Sequence, residues 1–477
     1  MKNLSITTLL CLLVLSAPAL AQNRIVSGAV KDIYDANCAS CHGADLNGGQ
    51  GGSLIDGQWR YGSSNAAITK VIRDGIEDGG MPGFGATLSE EQIRALVILM
   101  REAKQAAAST TLARRLQPDK GVFKTQHHNF SLERMGEGTG ILWALDFFPD
   151  GAMIATQRDG VLWHFKDGKR TPIKNTPKVW QHGQGGLLDV KLHPDYPDNQ
   201  WVYLAYSESG AAGRGMTAVV RGRIKGDRWV DQEDIFRAPP EFHNRSRVHF
   251  GVRLVFKDGY LFFGIGDRGA QDMAQDLTRP YGKIHRLHDD GRIPKDNPFV
   301  GKTFDGKPAY ASIWTYGNRN PQGLDSHPVT GALWETEHGP RGGDELNLIR
   351  KGKNYGWPVI TYGMNYSGTP ITDKVEKPGM EQPVHFWVPS IAVCGTEFYE
   401  GGNFPKWKNH LFAGSLSAQQ LHRLEISEQG EVIAEEIVLK DQGRIRDVAS
   451  GPDGNLYILL NQRSPQRGAI YRLVNRD

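Results

Sequence analysis

Two hydrophobic periodicities divide the chain. Near the N-terminus, Val30, Ile33 and Tyr34 fall at i, i+3 and i+4, and Ile93, Leu96, Val97 and Met100 repeat that stripe over a longer segment. The second stripe follows Ser89-Glu90-Glu91-Gln92, a capping box, and predicts a helix closing at Arg101-Glu102-Ala103-Lys104. Residues 106–125 carry no firm pattern and read as a linker. Beyond them a strand–turn–strand unit recurs. Residues 142–148 turn at Pro149-Asp150-Gly151 into Met153-Ile154-Ala155, and residues 187–192 turn at Pro194-Asp195 toward residues 201–204. Residues 253–256 turn at Asp258-Gly259 into 261–263, and residues 323–326 turn at Thr330-Gly331 into Leu333-Trp334. Phe398-Tyr399 leads through residues 405–409 into 411–413, and Val448-Ala449 turns at Pro452-Asp453-Gly454 into 456–459. Glycine accepts the positive φ of such tight turns. Six units at about one per 60 residues suit four-stranded blades better than a compact 40-residue repeat. The expected architecture is an all-β six-bladed β-propeller behind a small all-α domain. A pair of β-sandwiches would leave the repeating unit without a cause.

Length agrees, since 477 residues exceed a single core of roughly 250–300. Lys and Arg number 56 against 53 Asp and Glu, a net charge of +3, which argues against a nucleic-acid binder. With 39% apolar and 23% charged residues, the composition is that of a soluble globular protein. Residues 1–21 read as a signal peptide: Lys2, an apolar run over 9–15, then Ala19-Leu20-Ala21 before Gln22. That run is too short to cross a bilayer and no transmembrane segment is expected elsewhere, so export to the periplasm is the reading. The expected division is a signal peptide over 1–21, a helical domain over 22–105, a linker over 106–125 and the propeller over 126–477.

Four cysteines carry different meanings. Cys11 leaves with the signal peptide, and Cys394, in the apolar run Ile391-Ala392-Val393-Cys394, reads as a small buried hydrophobe. Cys38-Ala39-Ser40-Cys41-His42 has the spacing of c-type haem attachment, with Cys38 and Cys41 forming the thioethers and His42 the proximal iron ligand. A thioredoxin-like redox pair is the rival, but it has no need of His42. Met81, in the loop Gly79-Gly80-Met81-Pro82-Gly83-Phe84-Gly85, is a candidate distal ligand, since His/Met ligation is that of electron-transfer cytochromes. Helix, CxxCH motif, methionine loop and closing helix together resemble class I cytochrome c over residues 25–105.

The propeller segment carries a second set of motifs. In order they are residues 247–256, Gly264-Ile265-Gly266-Asp267, residues 316–324, residues 337–345, and residues 351–358. From about Trp143 to the C-terminus this order resembles the soluble dehydrogenases of glucose and other aldoses that depend on pyrroloquinoline quinone (PQQ), a family of six-bladed propellers. The resemblance implies that His249 is the catalytic base, a suitable role for an imidazole near its intrinsic pKa. It implies that Arg319 and Asn320 contact the quinone, with the guanidinium stabilising charge that develops on the cofactor. His338 and Asp344 fall in the same cofactor-binding stretch, and the carbonyls of Gly339 and Pro340 match ligands of the cofactor's Ca2+. Glu345 with the Tyr355 carbonyl resembles a second, structural calcium site. Arg444 and Arg446 match a clamp on the cofactor's carboxylates, and Gln184 and Trp387 match positions near the sugar.

The chain also departs from the family pattern. His338 stands where the glucose enzymes carry Gln, Ser417 where a lysine contacts the quinone, Val248 where an Asp adjoins the base, and Arg268 where a pocket Gln lies. Cofactor contacts are largely kept while sugar contacts change. The expectation is therefore a periplasmic quinohaemoprotein. It oxidises an aldose or related alcohol with PQQ, haem c and Ca2+, and passes electrons singly to the fused haem and on to a soluble or membrane acceptor. The alternatives are a calcium-dependent propeller hydrolase of the lactonase kind, and a sugar-binding propeller tethered to a cytochrome without catalysis.

Overall fold

The computed structural model describes residues 28–110, 121–463 and 466–477, so the expected signal peptide lies outside the described residues. Among those described, no helix is long and apolar enough to cross a membrane. The N-terminal domain is built from α1 (Ala29–Asn37), α2 (Ala39–His42), α3 (Asn65–Asp74) and α4 (Glu90–Thr110). The capping box forms: the Ser89 N–H donates to Gln92 Oε1 (2.9 Å) and the Gln92 N–H to Ser89 Oγ (3.4 Å). α4 does not stop near Lys104 but runs to Thr110, because the alanine-rich stretch Ala106-Ala107-Ala108 has high helix propensity. Val30, Tyr34, Ile68, Ile72, Leu96 and Leu99 close this domain's core.

The remainder is a six-bladed β-propeller. Blade one is Leu142–Phe147, Met153–Gln157, Leu162–Lys166 and Lys169–Ile173. Blades two to five have the same antiparallel four-strand order and begin at Leu187–Leu192, Leu254–Lys257, Pro321–Ser326 and Val393–Phe398. Blade six is composite. Its Arg444–Ser450, Leu456–Arg463 and Gln466–Asn475 come from the C-terminus, while Asn129–Glu137 adds the outer strand and Phe123–Lys124 pairs beyond it. The segment ahead of the first repeat thus closes the ring, and Phe123–Lys124 is a strand within the stretch read as linker. The hairpin pattern could not show this, because the closing strand pairs with a partner more than 300 residues away.

The first strand of each blade faces the centre, where these strands contact one another in a ring. A carboxylate on one inner strand accepts the backbone N–H of the next, around most of that ring. Asp146 takes the N–H of Leu192 (2.7 Å), Asp189 that of Leu254 (2.6 Å) and Asp325 that of Phe398 (2.6 Å). Glu397 takes the N–H of Ser450 (2.9 Å), and Asp447 that of Leu145 (2.9 Å), joining blade six to blade one. Buried Arg253 bridges Asp189 and Asp447 at 3.0 Å each. Five of the six inner strands also shift register near their first residues, where they meet the face that carries the site.

Asp447→Ala should leave the Leu145 N–H unpaired and Arg253 only half neutralised. Denaturant unfolding should then show a loss of about 3 kcal/mol, the scale for breaking a buried charge pair. A loss below about 0.5 kcal/mol would mean that this carboxylate is not a structural tie.

Candidate functional site

The helical domain encloses a cavity of about 180 Å³ lined by Cys38, His42, Trp59, Met81, Phe84 and Met100, among others. His42 and Met81, far apart in sequence, thus face one space. His42 Nδ1 lies 2.8 Å from the Gly52 carbonyl, which leaves Nε2 as the free ring nitrogen, the arrangement by which a ligating imidazole is oriented. Cys38 and Cys41 are not joined in a disulfide. Trp59 Nε1 in the cavity wall is buried without a hydrogen-bond partner among the described residues, a donor that a haem carboxylate would satisfy. The residues fit a c-type haem.

On the propeller, the functional loops either precede an inner strand or join the second and third strands of a blade, so all reach one face. Gly251, at φ +68°, lets the loop carrying His249 press against the end of the strand Tyr260–Ile265. A Cβ there would lie 2.8 Å from the Gly266 nitrogen. That approach brings His249 Nδ1 to 2.6 Å from Asp267 Oδ1. Asp267 is further held by the Gly269 N–H (2.7 Å) and by the Trp357 indole N–H on its other oxygen (2.8 Å). Burial pushes the Asp267 carboxyl up, but the His249 hydrogen bond and the charges of His249 and Arg319 outweigh it, so its pKa falls below the usual value. As an ionised acceptor it fixes the proton on His249 Nδ1 and leaves Nε2 as the basic atom. Burial lowers the His249 pKa below 6.5, and nearby Arg319 adds to that against the pull of Asp267. Gln184 receives the His249 backbone N–H at 2.8 Å. The left-handed φ of +52° at His249 marks the loop as held in an unusual conformation.

Around this dyad the structure gathers positive charge. Arg319 donates to the carbonyls of His338 (2.8 Å) and Gly339 (2.7 Å) and stacks near Trp357. Arg444 donates to the Leu416 carbonyl (3.0 Å), and Arg446 to Gln322 Oε1 (3.3 Å). His338 is held neutral: burial drives its pKa far down, assisted by the charges of Arg446 and Arg319. The Nε atoms of Arg158, Arg319 and Arg446, with His338 Nε2, are buried without partners among the described residues. Unpaired buried donors are costly, and an anion rich in carboxylates would satisfy them, so the cradle fits PQQ. Asn320 contributes from behind, its Oδ1 accepting the Gly251 N–H at 3.1 Å.

Other expected residues fall elsewhere. Asp344 spends its carboxylate on the Gly339 N–H (2.9 Å), Ser390 Oγ (2.8 Å) and the Val393 N–H (3.0 Å), shaping the loop that carries Gly339 and Pro340. Trp387, on the outer strand of its blade, has its indole N–H on Glu435 (2.8 Å), and its carbonyl accepts the Gly343 N–H (2.9 Å) of the loop that carries Gly339 and Pro340. Arg268 lies over the Phe250 ring at 3.5 Å, its pKa pushed down to about 9 by burial. Glu345 lies in a buried group with Glu335 and Glu337, where burial raises all three carboxyls, Glu345 to about 7. Glu335 Oε1 and Asn347 Oδ1 are buried there without partners, and the Tyr355 ring lies near enough to sense Glu335. The group is oxygen-rich, but Glu337 accepts the Arg319 and Asn320 N–H groups, and among the described residues no three such side chains are arranged to hold a metal ion.

Two functional residues escaped sequence reasoning. Asp267 stood in the Gly-Ile-Gly-Asp stretch, but nothing in its spacing shows that it reaches His249. Arg158, in the turn after Met153–Gln157, carries no local signal at all. It joins the cationic cluster within electrostatic reach of Arg446.

A six-bladed propeller with a histidine–carboxylate dyad inside a cationic cradle, preceded by a helical CxxCH domain, defines a quinone-dependent dehydrogenase joined to a cytochrome. Residues 140–472 match the glucose/sorbosone dehydrogenase family, and residues 28–100 match subunit III of cbb3-type cytochrome c oxidase. The chain belongs to the glucose/sorbosone dehydrogenase family and is a PQQ-dependent sugar oxidoreductase with an N-terminal c-type cytochrome domain. It is 46% identical over 332 residues to aldose sugar dehydrogenase YliI of Escherichia coli (strain K12), covering 68% of this chain and 87% of that protein. The crystal structure of the soluble E. coli aldose sugar dehydrogenase in its apo form superposes with a TM-score of 0.68 at 42% identity, over 73% of this chain and all of that one. The PQQ-bound aldose sugar dehydrogenase of Streptomyces coelicolor gives 0.57 at 25% identity, over 72% and 98%.

Asp267→Asn removes the interaction that raises the His249 pKa. The acid limb of kcat/KM, already below pH 6.5, should therefore move to still lower pH while the plateau falls. A pH–rate profile with an artificial electron acceptor tests this, and an acid limb moving upward would contradict the assigned pairing.

Proposed function

We propose that this protein is a periplasmic quinohaemoprotein that oxidises an aldose, or a related alcohol, and passes the electrons through its own haem to an external acceptor. The observation that carries the reading is the His249–Asp267 dyad set among unpaired guanidinium donors. PQQ, when bound, supplies a hydride acceptor, Ca2+ polarises it, and a covalently attached haem c accepts one electron at a time. Arg158, Arg319, Arg444 and Arg446 would hold the cofactor's anionic groups. The carbonyls of Gly339 and Pro340 would face its calcium, with Gly339 offering the lone pair not used by Arg319. Asp267 holds the imidazole, and His249 Nε2 removes the proton from the substrate hydroxyl as the C–H bond breaks. An aldose oxidised at its anomeric carbon leaves as the lactone, and His249 returns the proton to solvent. Arg319 stabilises the negative charge that arrives with the hydride. Cys38 and Cys41 would anchor the haem, His42 and Met81 would offer their nitrogen and sulfur to its iron, and residues 1–21 would direct export.

His249→Asn should still bind PQQ and calcium but lose roughly 10²–10⁴ in the rate of sugar oxidation. Near-normal turnover would rule out His249 as the base. A hydrolase or a simple sugar-binding module would show no sugar-dependent reduction of a dye in the unaltered protein.

Met81→Ala should leave dye-linked sugar oxidation intact, because the dye takes electrons at the propeller. Haem reduction by sugar should become slow or incomplete, since loss of the thioether lowers the haem potential. An unchanged ferrous spectrum and potential would mean that another residue is the distal ligand.

A further inference from the structure

The two domains meet at the start of α1, where the Ala29 N–H donates to the Ser367 carbonyl (3.0 Å), and along one stripe of α4. Arg94, Ile98 and Glu102 recur every four residues and lie on one face of the helix. Glu102 accepts a forked pair from Arg341, with Arg341 Nε 2.8 and 3.0 Å from the two oxygens and Nη2 2.7 Å from Oε2, both side chains largely buried (8% and 15% exposed). Ile98 abuts Gly342, where even a Cβ would come within 3.2 Å of the Ile98 side chain and φ is +79°. One turn away, Arg94 donates to the Thr372 carbonyl at 2.7 Å. Arg341 and Gly342 directly follow Gly339 and Pro340, the loop read as holding the cofactor's calcium. Arg341 is paired through its backbone in both directions with Met364, at 3.0 and 2.9 Å, and Met364 enters the helical domain's own core. The contact is therefore built from packing, ladder bonds and a desolvated ion pair together.

Met100 stands on the opposite side of α4, two residues from both Ile98 and Glu102, and lines the haem cavity. One helix, about 10 Å across with its side chains, thus separates that cavity from the cofactor loop. We propose that Glu102 is a positioning residue: its pair with Arg341 clamps the haem domain one helix-width from the cofactor loop and so sets the rate at which electrons cross between the domains. This role rests on the function proposed above. Each sugar oxidised to lactone releases two electrons and two protons. The electrons cross singly, each converting ferric to ferrous haem, and an external one-electron oxidant such as ferricyanide or a ferric cytochrome reoxidises the haem between them. The protons leave to solvent. Without the clamp the contact keeps only its packing and the hydrogen bonds at Thr372 and Ser367, so the haem domain spends less time seated on the cofactor loop and the acceptor's effective concentration falls.

The test uses the full-length protein loaded with haem, PQQ and calcium. Glu102→Lys sets like charges against each other at the contact, Glu102→Gln removes the charge with little change of shape, and Glu102→Asp keeps it. Stopped-flow mixing with an aldose should show haem reduction slowed at least about tenfold in the Lys variant, less in Gln and least in Asp. Dye-linked turnover, haem spectrum and haem potential should be unchanged in all three. Amide exchange at Met364 and Thr372 should quicken in step with the slowing. If the Lys variant does not fold, Gln against Asp gives the same comparison. Wild-type rates of haem reduction in Lys or Gln, or equal loss in the dye and haem assays, would overturn the positioning role. Haem that sugar fails to reduce in the unaltered protein, despite dye-linked turnover, would instead overturn the proposed electron route itself.

Discussion

The inner ring of the propeller depends on buried and half-buried carboxylates that each accept the backbone N–H of the next blade. A side-chain acceptor there does what a sheet hydrogen bond cannot, since the inner strands of adjacent blades do not pair with one another. Asp146, Asp189, Asp325, Glu397 and Asp447 tie five of the six junctions this way. Two of these ties, Asp189 to Leu254 and Asp447 to Leu145, lie toward the strand ends that meet the functional loops, while Leu192, Phe398 and Ser450 are tied at the opposite ends, so the ring is held along its length beneath His249, Arg319 and Arg446. The functional face inherits its precision from the ring. Burial raises several of these carboxyls, Asp447 to about 7 even beside Arg253, which shows how much desolvation the partners must offset.

The same economy of charge governs the site. Positive groups outnumber negative ones around His249 and His338, and Asp267, the carboxylate bonded to the base, is committed to His249, Gly269 and Trp357. Both imidazoles are held neutral, one to act as a base and the other because burial and two neighbouring guanidiniums forbid its charging. Buried guanidinium nitrogens without partners are unfavourable in the protein alone, and they are the mark of a cradle completed by an anion. On the neighbouring strands the imbalance reverses, with three buried glutamates whose carboxyls burial raises.

The helical domain is not a loosely strung appendage. Its longest helix lies between the haem cavity and the cofactor loop, with one face for each. Met100 lines the cavity, and a stripe of Arg94, Ile98 and Glu102 serves the propeller. The forked Glu102–Arg341 pair adds direction to a contact that apolar packing alone would leave free to slide.

Local chemistry determined much of this protein from sequence. Helical and alternating periodicities marked the two domains, six turn-linked hairpins gave the blade count, and the CxxCH motif and a later methionine picked out residues that line one cavity. Each of those signals lies within a few dozen residues, where the period of the backbone or the geometry of a covalent motif dictates residue type. The tertiary structure decided the rest. Asn129–Glu137 closes blade six, Asp267 meets His249, Arg158 joins the cationic cradle, Trp387 turns into blade packing, and Glu102 finds Arg341. Most of these join positions that are distant in sequence, and none follows from local periodicity. Their partners were chosen by ring closure and by the need to pair buried charge, and neither leaves a period in the chain.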